Sequence, residues 1–489
     1  MSMIRFKVYE NGSPARSLNL EGAHLLGGDR IPIRSEMKFS GGELTCEPRT
    51  RGAAALAIMW PVRGIGHVLL ETPRLLERQE PYNLLVELAR GQLMRIAQKR
   101  EDWGMYDLPE GQPLYDEAEK ARDQLVAAIT SADDVAASRH ADGALAMSLA
   151  IGEKLGLFGA EFARNQKRTD DDRQPASLGC CVSPEEVSEE NISRLQETCD
   201  FAGLSFNWAD LQPQEGKYQT AAIERALKIL HAKKVPIWGT GLLAMDEAHL
   251  PPWMIKASRD YETFRDLIIK HLRTILRSFE GHVQSWEVAT GLHMPAAAKL
   301  TLEQIMELTR AACVLAKQAS PKSQVIVGIV LPWGEYYATD PASLPPRLYA
   351  EMVMEQGVHL DGLGLRLQFG GQQVAQYVRD MMQVSSILDS FGAFGKPLHV
   401  TCAGVPSKGL TPLSGYWHDE WSEPVQAEWL KEFYSIALAK PFVASIAWQA
   451  LSDGDKASPW GGLLRKDGAP KQSFQELVAL RKELVTAQS

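Results

Sequence analysis

No CxxC pair occurs in this sequence, and its six cysteines (Cys46, Cys180, Cys181, Cys199, Cys313 and Cys402) are scattered over 489 residues. That scatter argues against a disulfide framework and for reduced thiols. No stretch of eighteen apolar residues is present, so nothing reads as a membrane span and no membrane partner is expected. No long Lys/Arg run offsets a net charge of −9 and a pI near 5.8, which argues against nucleic acid or an anionic membrane and suits a neutral ligand such as a sugar. The start, from Met1 to Tyr9, alternates like a strand and lacks the apolar core of a signal peptide. A soluble, cytoplasmic protein is expected, although a secreted protein with its leader removed would read the same.

What is present is ordinary globular composition, 45% hydrophobic and 23% charged, on a chain too long for one hydrophobic core. Residues 1–80 show short alternating runs separated by turn chemistry such as Asn11-Gly12 and Gly41-Gly42, and predict a small, sandwich-like β domain. Over 81–165 the period changes: Leu85, Ala89, Leu93 and Ile96, then Ala118, Ala121, Leu125 and Ile129, recur at helical spacing, with a break at Leu108-Pro109-Glu110-Gly111. The polar stretch 166–176, including Asp170 to Asp172, reads as a linker.

From 177 to 489 short apolar runs alternate with helical segments. The runs are Leu178 to Val182, Phe201 to Phe206, Val235 to Gly239, Val283 to Ala289, Val325 to Leu331, Gly362 to Leu367, Leu398 to Thr401 and Val443 to Trp448. Eight such units over this length predict an α/β fold of the (β/α)8 TIM-barrel type, with a doubly wound sheet as the alternative. Ligands of such barrels sit where strands end and loops begin.

At those strand ends the sequence resembles glycoside hydrolase family 10, the retaining β-xylanases with a (β/α)8 fold. The resemblance rests on Leu178-Gly179, on Phe206-Asn207-Trp208 followed by Leu211-Gln212-Pro213 and Gly216-Lys217-Tyr218, and on Trp286-Glu287-Val288. It continues in Gly334-Glu335-Tyr336-Tyr337, Leu363-Gly364-Leu365, His399-Val400-Thr401, Ala447-Trp448 and Pro470-Lys471. It implies a glycan ligand and no cofactor. The positions of the family's catalytic glutamates are replaced: the fourth-strand Asn-Glu pair reads Thr290-Gly291, and the seventh-strand nucleophile is Cys402. The sugar-gripping positions have changed too, to Asn207, Thr240, Ala244-Met245, Arg366 and Gln368. Retaining hydrolysis needs two carboxyl groups about 5 Å apart, and neither Gly291 nor Cys402 supplies one. No basic residue adjoins Cys402 in sequence to favour its thiolate, so a buried small apolar role is the expectation for it.

Other groups on the same face are candidates for relocated chemistry. Glu335, flanked by Trp333 and Tyr336, has the aromatic surroundings that raise a general acid. The segment from Tyr416 through Trp417, His418, Asp419, Glu420, Trp421 and Ser422 to Glu423 concentrates rings and carboxylates that suit a sugar, with Asp419, Glu420 and Glu423 as possible second carboxylates. Trp238, Trp333, Tyr336, Trp417, His418, Trp421 and Trp448 are candidate sugar contacts, and each has packing at the barrel rim as its alternative. Arg366 and Gln368 complete the substrate-binding set; Arg366 is expected to pair with Glu335 or with a substrate carboxylate. Glu287 is read as buried support and the loop Asp246 to His249 as solvated. Adjacent residues such as His418, Asp419 and Glu420 rarely coordinate together, so no metal is expected.

Three functions remain open: a divergent glycoside hydrolase with relocated carboxylates, a glycan-binding barrel without catalysis, and a structural platform that would assemble as a homo-oligomer through its N-terminal region.

Overall fold

The computed structural model describes residues 3–10, 12–105, 111–167, 176–340, 342–371, 375–409, 413–455 and 458–486. The expected helix break at 108–110 and most of the expected linker lie outside the described residues.

Eight parallel strands close into a barrel in chain order: Ser177–Val182, Phe201–Ser205, Ile237–Thr240, Ser285–Thr290, Gln324–Ile329, Gly362–Gln368, Leu398–Gly404 and Val443–Trp448. The first strand pairs with both the second and the eighth, which removes every free edge. The expected TIM barrel is thus the observed one, and the doubly wound alternative is discarded. Helices cover it because their apolar residues recur on one face. Helix Tyr261–Ser278 is started by Asp260, whose carboxylate accepts from Thr263 N, and it buries Phe264, Ile268, Leu272 and Ile275. Each such side chain contributes about 1.5–3 kcal/mol of burial. Helix Leu302–Ala319 opens with a reciprocal cap in which Thr301 and Gln304 each bond the other's backbone N–H.

Before the barrel come two larger sheets, the two-stranded pair Tyr9–Glu10 with Ser13–Pro14, and three helices. One sheet runs Tyr82–Asn83, Ile4–Lys7, Glu43–Pro48, Ser35–Ser40; the other contains Gly66–Glu71, Ala55–Val62, His24–Leu26 and Pro32–Ile33. Helices α1 (Leu84–Asp102), α2 (Gln112–Thr130) and α3 (Asp134–Lys167) follow. α3 has the length and composition of a membrane span, yet it packs on α1, α2 and the barrel helices Met381–Gly392 and Glu423–Leu438, burying Leu145, Leu149 and Leu155.

The two parts are joined through backbone. Tyr416–Trp417, from the loop after the seventh barrel strand, adds to the second sheet as an antiparallel edge strand beside Gly66–Glu71. Hydrogen bonds from Leu69 N to Val378 O (2.7 Å), Val378 N to Ser414 O (2.8 Å) and His418 N to Ile65 O (2.7 Å) extend the seam.

Candidate functional site

The C-terminal mouth of the barrel is built from inward side chains at the strand ends. Glu287, on strand four, is 2% exposed and lies across the interior. Its carboxylate accepts from Thr401 Oγ1 (3.0 Å) and from Arg366 Nη2 (3.1 Å). It fits because Gly328 on strand five has no side chain: a Cβ there would stand 2.1 Å from Glu287 Oε1. Arg366 therefore pairs with Glu287 and not with Glu335, correcting the expected pairing. Strand six presents its alternate residues inward, so Gln368 follows Arg366 to the rim and donates to Gln449 Oε1 (3.0 Å).

The register between strands six and seven slips by one residue between Val400 and Cys402, so two successive side chains turn inward. Thr401 reaches Glu287, and Cys402, 5% exposed, follows it on the strand with Arg366 as its cross-strand neighbour. Cys181 Sγ, on strand one, lies 3.5 Å from Thr401 O. The neighbouring Cys181 thiol holds the Cys402 thiol below its ordinary value against the opposing effect of burial, and the Arg366 charge acts in the same direction. The neighbouring Cys402 thiol and burial push Cys181 well up. Cys402 is buried as expected, and Arg366, distant in sequence, is its neighbour on the adjacent strand.

After strand four, Gly291 adopts φ 65°, and a Cβ built there would meet Val330 Cγ2 at 2.7 Å. The backbone conformation and the lack of space both exclude a larger side chain. Beside it the Thr290 hydroxyl and, further round, Arg366 Nε are buried without a partner among the described residues. Asp246, expected to be solvated, grips His249 Nδ1 at 2.6 Å; burial pushes its carboxyl up, but that bond and charge, with help from Arg366, hold it below the usual value.

Most of the other candidates lie elsewhere. Glu335 is buried between the barrel and the N-terminal sheets, bonded to Arg379, which is itself 1% exposed. Arg379 also faces Glu71 (3.7 Å) and lies 4.3 Å from the Trp333 ring centroid. Burial pushes Glu71 up, but the guanidiniums of Arg30, Arg95 and Arg379 outweigh it and hold it low. Glu335 is thereby consumed in an interdomain ion network rather than presented to a cleft. Tyr336 spends its hydroxyl on Leu344 O (2.8 Å).

The ring-and-carboxylate segment after strand seven is the edge strand of the N-terminal sheet. Trp417 is buried and donates to Glu153 of α3 (2.8 Å); His418, at φ 60°, stacks on Trp417 and bonds the same carboxylate (2.8 Å). Asp419 and Glu420 are exposed, Trp421 is buried with its indole donating to Gly415 O, and Glu423 makes a two-point ion pair with Arg465 at 2.7 Å. Trp448 is fully buried and donates to Gly461 O (2.7 Å). Trp238 is the second residue of its strand and stacks on Phe201 (4.2 Å), edge-on to His399, at the opposite end of the barrel from the mouth. Of the predicted set, the fold brings only Arg366 and Gln368 together at the mouth.

Several mouth residues went unnoticed in the sequence. Trp460, in the loop after strand eight, is 40% exposed, with Lys408 Nζ 5.1 Å from the centroid of its ring. Glu186, after strand one, accepts from Ser183 and from Ser452 N; burial raises its carboxyl despite those bonds. Gln449 and Cys181 complete the rim. Only Trp460 carried a local signal, as an aromatic in a Gly- and Ser-rich loop. To the side, Gln212, Glu215, Gly216, Tyr218, Trp253 and His271 help line a cavity of about 290 Å³.

The profile of glycosyl hydrolase family 10 matches residues 171–475. The chain is 20% identical over 263 residues to endo-1,4-beta-xylanase B of Thermotoga neapolitana, covering 51% of this chain and 69% of that protein. Similar solved structures include native xylanase 10B from Thermotoga maritima (17% identity, TM-score 0.47, 64% of this chain and 97% of that one). Xylanase 10B from Thermotoga petrophila in complex with xylobiose is comparable (16% identity, TM-score 0.48, 63% and 95%). The matched span is more than half of the chain and coincides with the closed barrel: the chain belongs to glycosyl hydrolase family 10.

Proposed function

We propose that this protein binds a poly- or oligosaccharide at the barrel mouth without hydrolysing it. The observation that carries the reading is Gly291: where the family places its proton donor, the backbone is left-handed and the Val330 methyl fills the side-chain space. A glycosidic oxygen at that position has no acid to protonate it, and the opposite carboxylate is a thiol, Cys402. Binding needs less. The indole of Trp460 offers an apolar face to a pyranose, and Gln368, Gln449 and Arg366 offer hydrogen bonds to its hydroxyls.

A hydrolytic reading has one observation in its favour, the raised carboxyl of Glu186 at the mouth. The two readings separate in one experiment. Titration calorimetry and reducing-end release are run on the same polysaccharide panel, with xylan first because the relatives are xylanases. Binding without release is the expected outcome. Release that Glu186→Gln abolishes would replace this reading with a hydrolase using Glu186, and neither binding nor release across the panel would end it.

A further inference from the structure

The first N-terminal sheet ends on an open edge. Strand Ser35–Ser40 is the last in that sheet and pairs, among the described residues, only with Glu43–Pro48. The register fixes which backbone groups it spends there. Ser40 and Glu43 flank a two-residue turn, Gly41-Gly42 at φ 62° and 81°, so they form a hydrogen-bonded pair, and such pairs alternate along the hairpin. Ser40, Lys38 and Glu36 therefore turn their N–H and C=O groups to Glu43, Thr45 and Glu47. Two observations agree with this: Arg49 N donates to Arg34 O (3.0 Å), the next pair in the series, and Ser35 faces Pro48, which has no N–H to give. The N–H and C=O groups of Ser35, Met37 and Phe39 point away from the sheet and have no hydrogen-bond partner among the described residues.

The side chains alternate as well. Met37 and Phe39 pack partly against the core, whereas Glu36 and Lys38 stand on the solvent face with side chains 64% and 73% exposed. Charges along an edge strand ordinarily keep chains apart. Here they are of opposite sign, two residues apart on one face, and that spacing is self-complementary.

We propose that this edge is the docking surface for a second copy of the same chain, the two strands running antiparallel about a two-fold axis at Met37. In that register Met37 faces Met37 of the partner subunit and Ser35 faces Phe39 of the partner subunit, so outward groups meet outward groups and each pair exchanges two N–H···O bonds. Glu36 stands opposite Lys38 of the partner subunit, and Lys38 opposite Glu36 of the partner subunit, in the non-hydrogen-bonded pairs where side chains come closest. The charges pin the register. Moving the axis by one residue sets Glu36 against Glu36 or Lys38 against Lys38, and moving it by half a residue sets outward groups against groups already bonded within the sheet. A six-residue pairing buries less than the about 1,200–2,000 Å² of a standard interface, so the dimer is a reversible one. Each chain brings one barrel mouth, and the pair would hold a long polysaccharide at two points; that consequence alone rests on the binding function proposed above.

The test is sedimentation equilibrium of the full chain without glycan, from about 1 µM to about 500 µM. The average mass should rise from 54.1 kDa towards twice that value. Lys38→Glu sets acid against acid and Glu36→Lys sets base against base, and each variant alone should raise the dissociation constant at least about tenfold. Mixed in equal amounts the two variants should dimerise again, because every cross-strand pair then joins opposite charges. Met37→Pro removes the central outward N–H while sparing the bonds to Glu43–Pro48, and should leave the chain monomeric. Circular dichroism confirms that each variant is folded. A monomer throughout the range, a dimer that survives either charge reversal or Met37→Pro, or a mixture that stays monomeric would each overturn the proposal.

Discussion

Replacing Arg379 with methionine tests whether Glu335 is held for stability. The guanidinium is 1% exposed and shared between Glu335 and Glu71, with the Trp333 ring against it. Without it, Glu71 keeps Arg30 at 2.7 Å and Arg95 at 3.7 Å, but Glu335 is left a buried carboxylate whose Oε2 already has no partner among the described residues. Breaking a buried pair from one side costs about 3–5 kcal/mol, and losing the ring contact adds about 0.5–1 kcal/mol. With an unfolding entropy of roughly 2 cal/mol/K per residue, a chain this long loses about 1 °C per kcal/mol if it unfolds as one unit, so the thermal midpoint should fall by about 4–6 °C at neutral pH. Scanning calorimetry of the two proteins reads this directly, and a fall below about 1 °C would refute the reasoning. Glu335→Gln keeps an acceptor for Arg379 and should cost less, about 1–3 kcal/mol, with glycan affinity unchanged. Lost binding at an unchanged midpoint would return Glu335 to the binding site.

Trp460→Ala should weaken glycan binding at least fivefold with no loss of fold, while Trp448→Ala, emptying a fully buried indole site, should cost about 3–5 kcal/mol; denaturation and titration on both variants separate ligand contact from packing. Gly291→Ala should destabilise by about 2–4 kcal/mol, combining the left-handed backbone with the clash against Val330, as urea unfolding would show. The attachment of residues 413–422 to α3 should weaken as pH rises from about 5 to about 8. Burial lowers His418, but Glu153, Glu428 and Glu432 outweigh it and raise it, so its contribution is full below 6.5 and lost through its native value. Burial lifts Glu432 to about 7 from 4.5, so the native state loses ground between those values as the unfolded chain ionises first. Hydrogen exchange, corrected for intrinsic rates, should show falling protection of that segment; rising protection would contradict the assignment. Glu423→Ala removes only an exposed pair with Arg465 and should change stability by less than about 1 kcal/mol in the same unfolding assay.

The barrel was legible because its strands are bounded by turn chemistry and alternate with helical spacing, both of which are local. Boundaries shifted slightly, and in one place the shift mattered: the third strand starts at Ile237 rather than Val235, which places Trp238 near its beginning and therefore away from the mouth. The site was far less legible. The surroundings of Glu335 are decided by Arg379 and by Glu71 from the N-terminal sheet, and nothing near Glu335 in sequence announces either. The Trp417 and His418 segment has the composition of a sugar-binding loop, yet Glu153 of α3 claims both side chains. The burial of Cys402 was readable, but its neighbour Arg366 was not, because it lies on the adjacent strand rather than next to it in the chain. By contrast, the replacement of both catalytic positions was readable, since identity at a strand end is a local property.

The two-residue strand Tyr416–Trp417 makes the chain poorly divisible. A cut in the polar stretch before Ser177 looks like a natural boundary for producing the barrel alone. It would leave the seventh loop without the sheet it completes, with the buried Trp417 indole turned to water and its Glu153 partner gone. The other fragment would keep Gly66–Glu71 as an uncapped edge, ready to pair with any extended chain. Sticky fragments are therefore expected from each half, and only the undivided polypeptide suits experiments on the barrel mouth.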